Sequence, residues 1–332
     1  MTINLFARAC AAVLVVLAAV STAHGFGTVS VAGQNAEHER ITRRALECGH
    51  VENCFQAETL DILAGKQLSF GAVGAPDNPA VGLLTTARAH CDGGDFLNVP
   101  GYPQTQADAQ RVLIACRAWM KRHLDAAIAA ARHLVSAKGK ISRWQASITP
   151  SCVFAGRVAG RAKCTVLEKF GIVLHASQDF YSHTNWTDQA PAGAPSAEVP
   201  PGLGHDAPAP WLDLRTMPAN FPAGLISGCF ESASIPFEDR GCNYGEDGKL
   251  HRVKHAVLNK DKGSIGDAIG AGTTPRGKAD DNFRRAVQAA VDDTRDKWAA
   301  LQVGLVKTYG AARAKKMICV LTHDDAVSDC AT

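Results

Sequence analysis

Three side chains able to ligate a metal recur at four-residue spacing in Gly171-Ile-Val-Leu-His175-Ala-Ser-Gln-Asp179-Phe-Tyr-Ser-His183-Thr-Asn-Trp186. On a helix that advances about 100° per residue, positions 175, 179 and 183 fall within roughly 80° of arc and stack along one face. At roughly 1.5 Å per residue the two histidines stand about 12 Å apart, too far to chelate one ion together without strain. The carboxylate between them has two oxygens. The pattern therefore suits two or three neighbouring metal ions bridged by Asp179, with neutral imidazoles completing tetrahedral or five-coordinate shells. A helix with a merely solvated polar face is the competing reading, and Leu174, Phe180 and Trp186 on its flanks speak against it.

Set in Leu-His-x-x-Gln-Asp-Phe-Tyr-Ser-His-x-Asn-Trp, the motif resembles the Het-C-like branch of the zinc-dependent phospholipase C and single-strand nuclease superfamily. The likeness continues in order along the chain. Phe26-Gly27 is similar to that family's mature start, and His38, in His-Glu-Arg-Ile-Thr-Arg-Arg-Ala-Leu, matches its first histidine ligand in type and spacing. Asp77 in Gly71-Ala-Val-Gly-Ala-Pro-Asp-Asn-Pro resembles the family's loop aspartate, and His90 in Ala-His-Cys-Asp-Gly-Gly-Asp-Phe its second histidine. The segment Leu250-His251-Arg-Val-Lys-His255-Ala-Val-Leu-Asn-Lys-Asp261 resembles the closing pair. Two departures stand out: the third member of the helical motif sits farther along in the phospholipases and nucleases than His183 does here, and their last ligand is usually Asp or Glu where this chain has His255.

The resemblance covers about residues 26–261 and implies an α-helical secreted enzyme around a trinuclear zinc cluster, one ligand of which is the mature N-terminal residue through its amine and carbonyl. Carried over residue by residue, Asp77, His90, His175 and Asp179 would hold one Zn2+, and Asp179, His38 and the Phe26 terminus a second, with a water bridging the two. His183, His251 and His255 would hold the third. The implied activity is phosphodiester hydrolysis of the phospholipase C kind, with zinc-bound hydroxide attacking phosphorus, Asp77 as the catalytic group that orients or deprotonates it, and the third zinc on the leaving oxygen. Phospholipid, met in transient contact with a membrane surface, is the first substrate class. Single-stranded nucleic acid is the alternative. A non-catalytic, zinc-stabilised secreted binding or toxin-like protein is the reading from another class, because the Het-C-like branch is tied to incompatibility phenotypes more clearly than to a reaction.

The elements that must carry these residues read as helices. Apolar spacing and Ala, Leu, Arg and Gln content predict helices over 106–137, 163–186 and 281–309, and a shorter one over 38–47 with Ile41, Ala45 and Leu46 at helical spacing. No stretch alternates apolar and polar residues, so the expected class is mainly α, a single helical domain over residues 26–332 with long irregular loops held by disulfides. Residues 187–249 hold most of the prolines and little periodicity. That excursion runs from His183 to His251, so its ends are expected beside the cluster and its body over it. Trp211, Phe221, Phe230 and Phe237 would line an apolar substrate groove or pack the loop's own small core.

Composition sets the bounds. In 332 residues, 46% are hydrophobic and 20% charged, a globular balance. Lys+Arg 35 against Asp+Glu 32 leaves a formal +3, which excludes the basic face that duplex nucleic acid needs. Residues 1–25 read as a signal peptide: Arg8, an apolar run from 9 to 20 too short to span a bilayer, then Ala23-His24-Gly25 at the cleavage position, with a cut after Ala23 as the alternative. The expected location is secreted or periplasmic. Of 11 cysteines, Cys10 falls in that leader and ten remain, an even number that reads as disulfides. Short spacing brings forward 48–54, 152–164, 229–242 and 319–330, and 91–116 would complete five; spacing alone leaves the connectivity open. No Cys-x-x-Cys, Gly-x-Ser-x-Gly or His-Glu-x-x-His occurs, and Gly272-Thr-Thr-Pro-Arg-Gly-Lys278-Ala279 lacks the Ser/Thr of a phosphate loop.

Overall fold

The computed structural model describes residues 26–30, 33–66, 69–154, 160–189, 193–218, 220–230 and 240–331, so the signal-peptide expectation and Phe237 lie outside the described residues. The helices in chain order are α1 (Glu37–Leu46), α2 (Ala57–Ala64), α3 (Ala87–His90), α4 (Gln106–Ala131), α5 (Arg143–Ala146), α6 (Ala162–His183), α7 (His255–Leu258), α8 (Pro275–Lys278), α9 (Asn282–Tyr309), α10 (Ala311–Thr322) and α11 (Ala326–Asp329). Among the described residues, strand is confined to two antiparallel hairpins, β1 (Asn243–Tyr244) with β2 (Leu250–His251) and β3 (Gly263–Ile265) with β4 (Ile269–Gly272). At about 48% helix and 7% strand the chain is mainly α, as expected.

α6 is the axis of the molecule. Every residue from Phe170 to His183 is buried, with α4 and α9 packed along it and α1 and α3 closing over the motif end. Phe170, Val173, Leu174, Phe180 and Tyr181 bury the flanks of that axis in one hydrophobic core shared with Leu113, Met120, Leu124, Val287 and Ala290 of the neighbouring helices. Truncating one such side chain to Ala would cost about 2–5 kcal/mol. The helix therefore presents His175, Asp179 and His183 from a scaffold that has little room to move.

The predicted boundaries move where local chemistry competes with the helix. α6 stops at His183 rather than 186 because Thr184 turns extended and its hydroxyl bonds back to the Phe180 carbonyl, freeing Asn185 and Trp186 to brace the following loop. α4 stops at Ala131 rather than 137, where the chain reverses through Gly139 at φ 76° and Ser142 N–H returns to the Leu134 carbonyl. Its start is fixed by a capping box in which Thr105 and Asp108 satisfy each other's backbone N–H groups. Gly310, at φ 78°, separates α9 from α10, a helix that the sequence pattern did not bring out.

All five expected disulfides form: 48–54, 91–116, 152–164, 229–242 and 319–330. They point to an oxidising compartment. Among the described residues no helix is long and apolar enough to cross a membrane. Gly171 has a specific part in positioning the site. A Cβ there would lie 2.4 Å from the Ala72 backbone, so only glycine lets the 70–77 loop run against α6 and bring Val73 and Asp77 to the motif.

Candidate metal centre

Asp77, His90, His175 and Asp179 converge from the Ala75–Asp77 turn, α3 and α6. His90 Nδ1 lies 3.0 Å from His175 Nε2 and 2.9 Å from Asp179 Oδ2, and His175 Nε2 lies 3.1 Å from that same oxygen. Asp77 Oδ1 stands 3.6 Å from His175 Nε2 and 3.9 Å from His90 Nδ1. Ligands about 2.0–2.2 Å from one tetrahedral zinc sit roughly 3.3–3.5 Å from each other, and these separations bracket that edge. Thr28 Oγ1 donates to Asp77 Oδ2, which turns Oδ1 toward the imidazoles.

The hydrogen bonds on the far side of each ring decide what the near side can be. His175 Nδ1 bonds the Val73 carbonyl at 3.0 Å, His90 Nε2 the Leu83 carbonyl at 3.3 Å, and His38 Nδ1 the Gln178 amide oxygen at 2.7 Å. Those oxygens only accept, so in the neutral rings each outer nitrogen carries the hydrogen and each inner nitrogen offers a lone pair. The inner nitrogens face one another and carboxylate oxygens, a set of acceptors without a donor. A bound cation satisfies all of them together.

A second group shares Asp179. His38 Nε2 lies 3.1 Å from Asp179 Oδ1, both atoms are buried without a hydrogen-bond partner, and the His38 ring stacks on His175 at 4.3 Å. Phe26 stands beside it, fully buried, with its ring edge-on to His38 at 6.1 Å. The backbone that follows is tied in, Gly27 N–H to the Asp261 carbonyl and His38 N–H to the Gly27 carbonyl.

The third group corrects the sequence reading. His183 and His255 do meet, their rings 4.4 Å apart, but His251 stays on the β1–β2 hairpin, where Nδ1 pairs with Asn243 Oδ1 at 2.7 Å. Asp261 takes the expected place of His251: Oδ1 lies 3.4 Å from His183 Nε2 and Oδ2 lies 3.9 Å from His255 Nε2. Asp92, also unforeseen, sits 2.9 Å from His183 Nδ1, a nitrogen that bonds the His90 carbonyl as well. The signal for both was present, Asp92 two residues past His90 and Asp261 at the end of the segment that carries His255.

Burial shapes the electrostatics. It opposes charge on every imidazole, yet the Asp179 and Asp77 carboxylates raise His38 and His90 above the usual imidazole value, and Asp92 with Asp179 raises His183 well above it. His175 goes down instead, desolvated and next to His38. The imidazoles overcome the burial of Asp179 and hold it well below the usual carboxylate range. Surface placement of His38, His90 and His255 is ruled out, since all are buried, whereas His50, His123, His133 and His205 lie outside the three groups. Cys319, His323 and Cys330 also cluster, but the two sulfurs form a disulfide and offer no thiolate.

The 187–249 excursion meets the centre at its start and in its interior, where Gly228 N–H bonds the His183 carbonyl and a Cβ on Gly228 would come 2.3 Å from the His255 Cα, but its far end runs into the β1–β2 hairpin, so the expectation that both ends lie beside the cluster is not met. Its aromatic residues divide. Trp211 packs on Phe180 and Phe221 and joins the main core, whereas Phe230 faces His255 with ring centroids 5.6 Å apart. No known protein family, curated protein or solved structure matches the chain.

Proposed function

We propose that the chain is a secreted, zinc-dependent phosphodiester hydrolase with phospholipid as its substrate class. The observation that carries this reading is the convergence of Asp77, His90, His175 and Asp179 with the tautomers of both imidazoles fixed from behind. Nitrogen and carboxylate donors without sulfur suit zinc among several divalent metals, and the family resemblance selects zinc. Asp77, His90, His175 and Asp179 would hold one ion, His38 and Asp179 a second, and His183, His255 and Asp261 a third. Two side chains fall short of a zinc shell, and the amine and carbonyl of Phe26, beside His38, would complete the second once the chain starts there.

Bound zinc would supply a hydroxide source near neutral pH and neutralise phosphate charge. The residues do the rest. Asp77, oriented by Thr28, is the carboxylate that orients the attacking water or takes its proton. Gln178 holds His38, bonded in turn by Thr42 and Thr294, so the ring cannot tip. Phe230 beside His255 shields that end from solvent.

The test is turnover by the zinc-loaded mature protein on phosphatidylcholine, bis-p-nitrophenyl phosphate and single-stranded DNA, with and without chelator. Chelator-sensitive release from the first two is expected. Preference for DNA would identify a single-strand nuclease, and bound zinc with no turnover on any substrate would leave the non-catalytic, toxin-like binding protein.

A further inference from the structure

We propose that the apolar cavity lined by Phe96, Leu97, Val99, Pro195, Pro201 and Ile226 receives an acyl chain of the substrate, a proposal that rests on the hydrolase reading and narrows it to amphiphilic phosphodiesters. The cavity is about 320 Å³, within the range of small-ligand pockets. Among the described residues no ionisable side chain lines it, so they offer a phosphate no counter-charge. Its one aromatic ring, Phe96, is already engaged edge-on with Tyr102 at 6.1 Å and is poorly placed to stack a base.

Four connections join this cavity to the third metal group. Asn185, two residues past His183, donates from Nδ2 to the Pro201 and Gly224 carbonyls and accepts the Ile226 N–H on Oδ1, so the turn after α6 braces three residues of the cavity wall. Ile226 is two residues from Gly228, the residue pressed against His255. The 93–95 segment, which leads from Asp92 to Phe96, pairs with 227–228 through Gly93 N–H to the Gly228 carbonyl and Ser227 N–H to the Gly94 carbonyl. Leu258, at the end of the helix that begins with His255, packs in one cluster with Leu97 and Ile226. Two residues of extended chain reach about 7 Å. The cavity and the third metal group thus share their walls, the Asn185, 226–228 and 92–96 segments.

Val99 is 41% exposed, so Val99→Trp narrows the cavity without touching a proposed ligand. In the zinc-loaded full-length mature protein, KM for dihexanoyl phosphatidylcholine should rise about tenfold, what the lost burial of two methylenes is worth, with kcat/KM on bis-p-nitrophenyl phosphate unchanged. Calorimetric binding of octyl glucoside below its micelle concentration gives a readout free of catalysis: one molecule should bind the parent and bind the variant about tenfold more weakly. Equal KM values and equal octyl glucoside binding in the two proteins would overturn the proposal. A parallel fall on both phosphodiesters would overturn it too. Octyl glucoside binding that Val99→Trp weakens, in a protein that turns over neither diester, would keep the apolar cavity and remove the hydrolase reading instead.

Discussion

His90 Nδ1 and His175 Nε2 lie 3.0 Å apart, and neither has a hydrogen to offer the other, because each ring has already given its own to a backbone carbonyl. Two lone pairs at that distance, with Asp179 Oδ2 beside both, need a cation between them, either a metal ion or an added proton. Removing metal with a chelator should lower the unfolding temperature, and restoring zinc at about a thousand times its Kd should return roughly 4 kcal/mol of stability. His175→Ala should bind at least one ion fewer by elemental analysis. Unchanged metal content in that variant would show that the convergence is a buried proton-sharing network.

Asp261 and His251 make opposite predictions for the third group. His251→Ala should leave metal content and unfolding temperature as in the parent, because its ring is occupied with Asn243 on a hairpin. Asp261→Ala should lose one ion per chain and most activity, since it withdraws the carboxylate that both His183 and His255 face. The reverse pattern, metal lost with His251 and kept without Asp261, would restore the reading from sequence.

Why the motif on α6 was legible while the third group was not follows from the distance over which each is specified. His175, Asp179 and His183 are placed by one helix, whose period alone sets them on a face. The loop residues Asp77 and His90 were reachable through the family resemblance, and Gly171 explains physically how that loop gets there. His251 and His255 lie four residues apart, which a helix would have put together. The chain instead forms β2, then extended backbone through Lys254, and starts α7 only at His255. Which of several acidic residues then swings in is a tertiary outcome, decided by Ser182 donating to Asp261 at 2.5 Å and by Lys260 anchoring on Asp188 at 2.9 Å next door. The apolar cavity was illegible for the same reason: Trp211 and Phe221 are as apolar as Ile226, and only packing sends them to the main core.

Gln178 should matter through His38 alone. Its amide oxygen accepts from His38 Nδ1, and its nitrogen donates to Thr42 and Thr294, which leaves one orientation. Gln178→Leu frees the ring and lets its tautomers interchange, so affinity for the ion held by His38 and Asp179 should fall about 10- to 100-fold with the other ions kept. Gln178→Glu, which keeps an acceptor in place, should recover much of that loss. Zinc titration against a competing chelator measures both; equal affinities in parent and Gln178→Leu would reduce Gln178 to a packing residue.

Lys163 gives a pH signature away from the metal. It is buried near the start of α6, donates to Thr59 Oγ1 and to the His323 carbonyl, and burial, only partly offset by Asp324, pushes its ammonium down to about 8 from an ordinary 10.5. Between those two values the unfolded chain binds the extra proton, so stability should rise with pH from about 8 toward 10.5, and the penalty present below pH 8 is about 3 kcal/mol. Lys163→Met removes the titration. Urea unfolding at intervals from pH 7 to 10 should show the difference between parent and variant shifting in favour of the parent as pH rises, since only the parent sheds a buried charge. Curves that stay parallel over that range would mean that Lys163 keeps its proton in the folded chain, held by Thr59 and the His323 carbonyl.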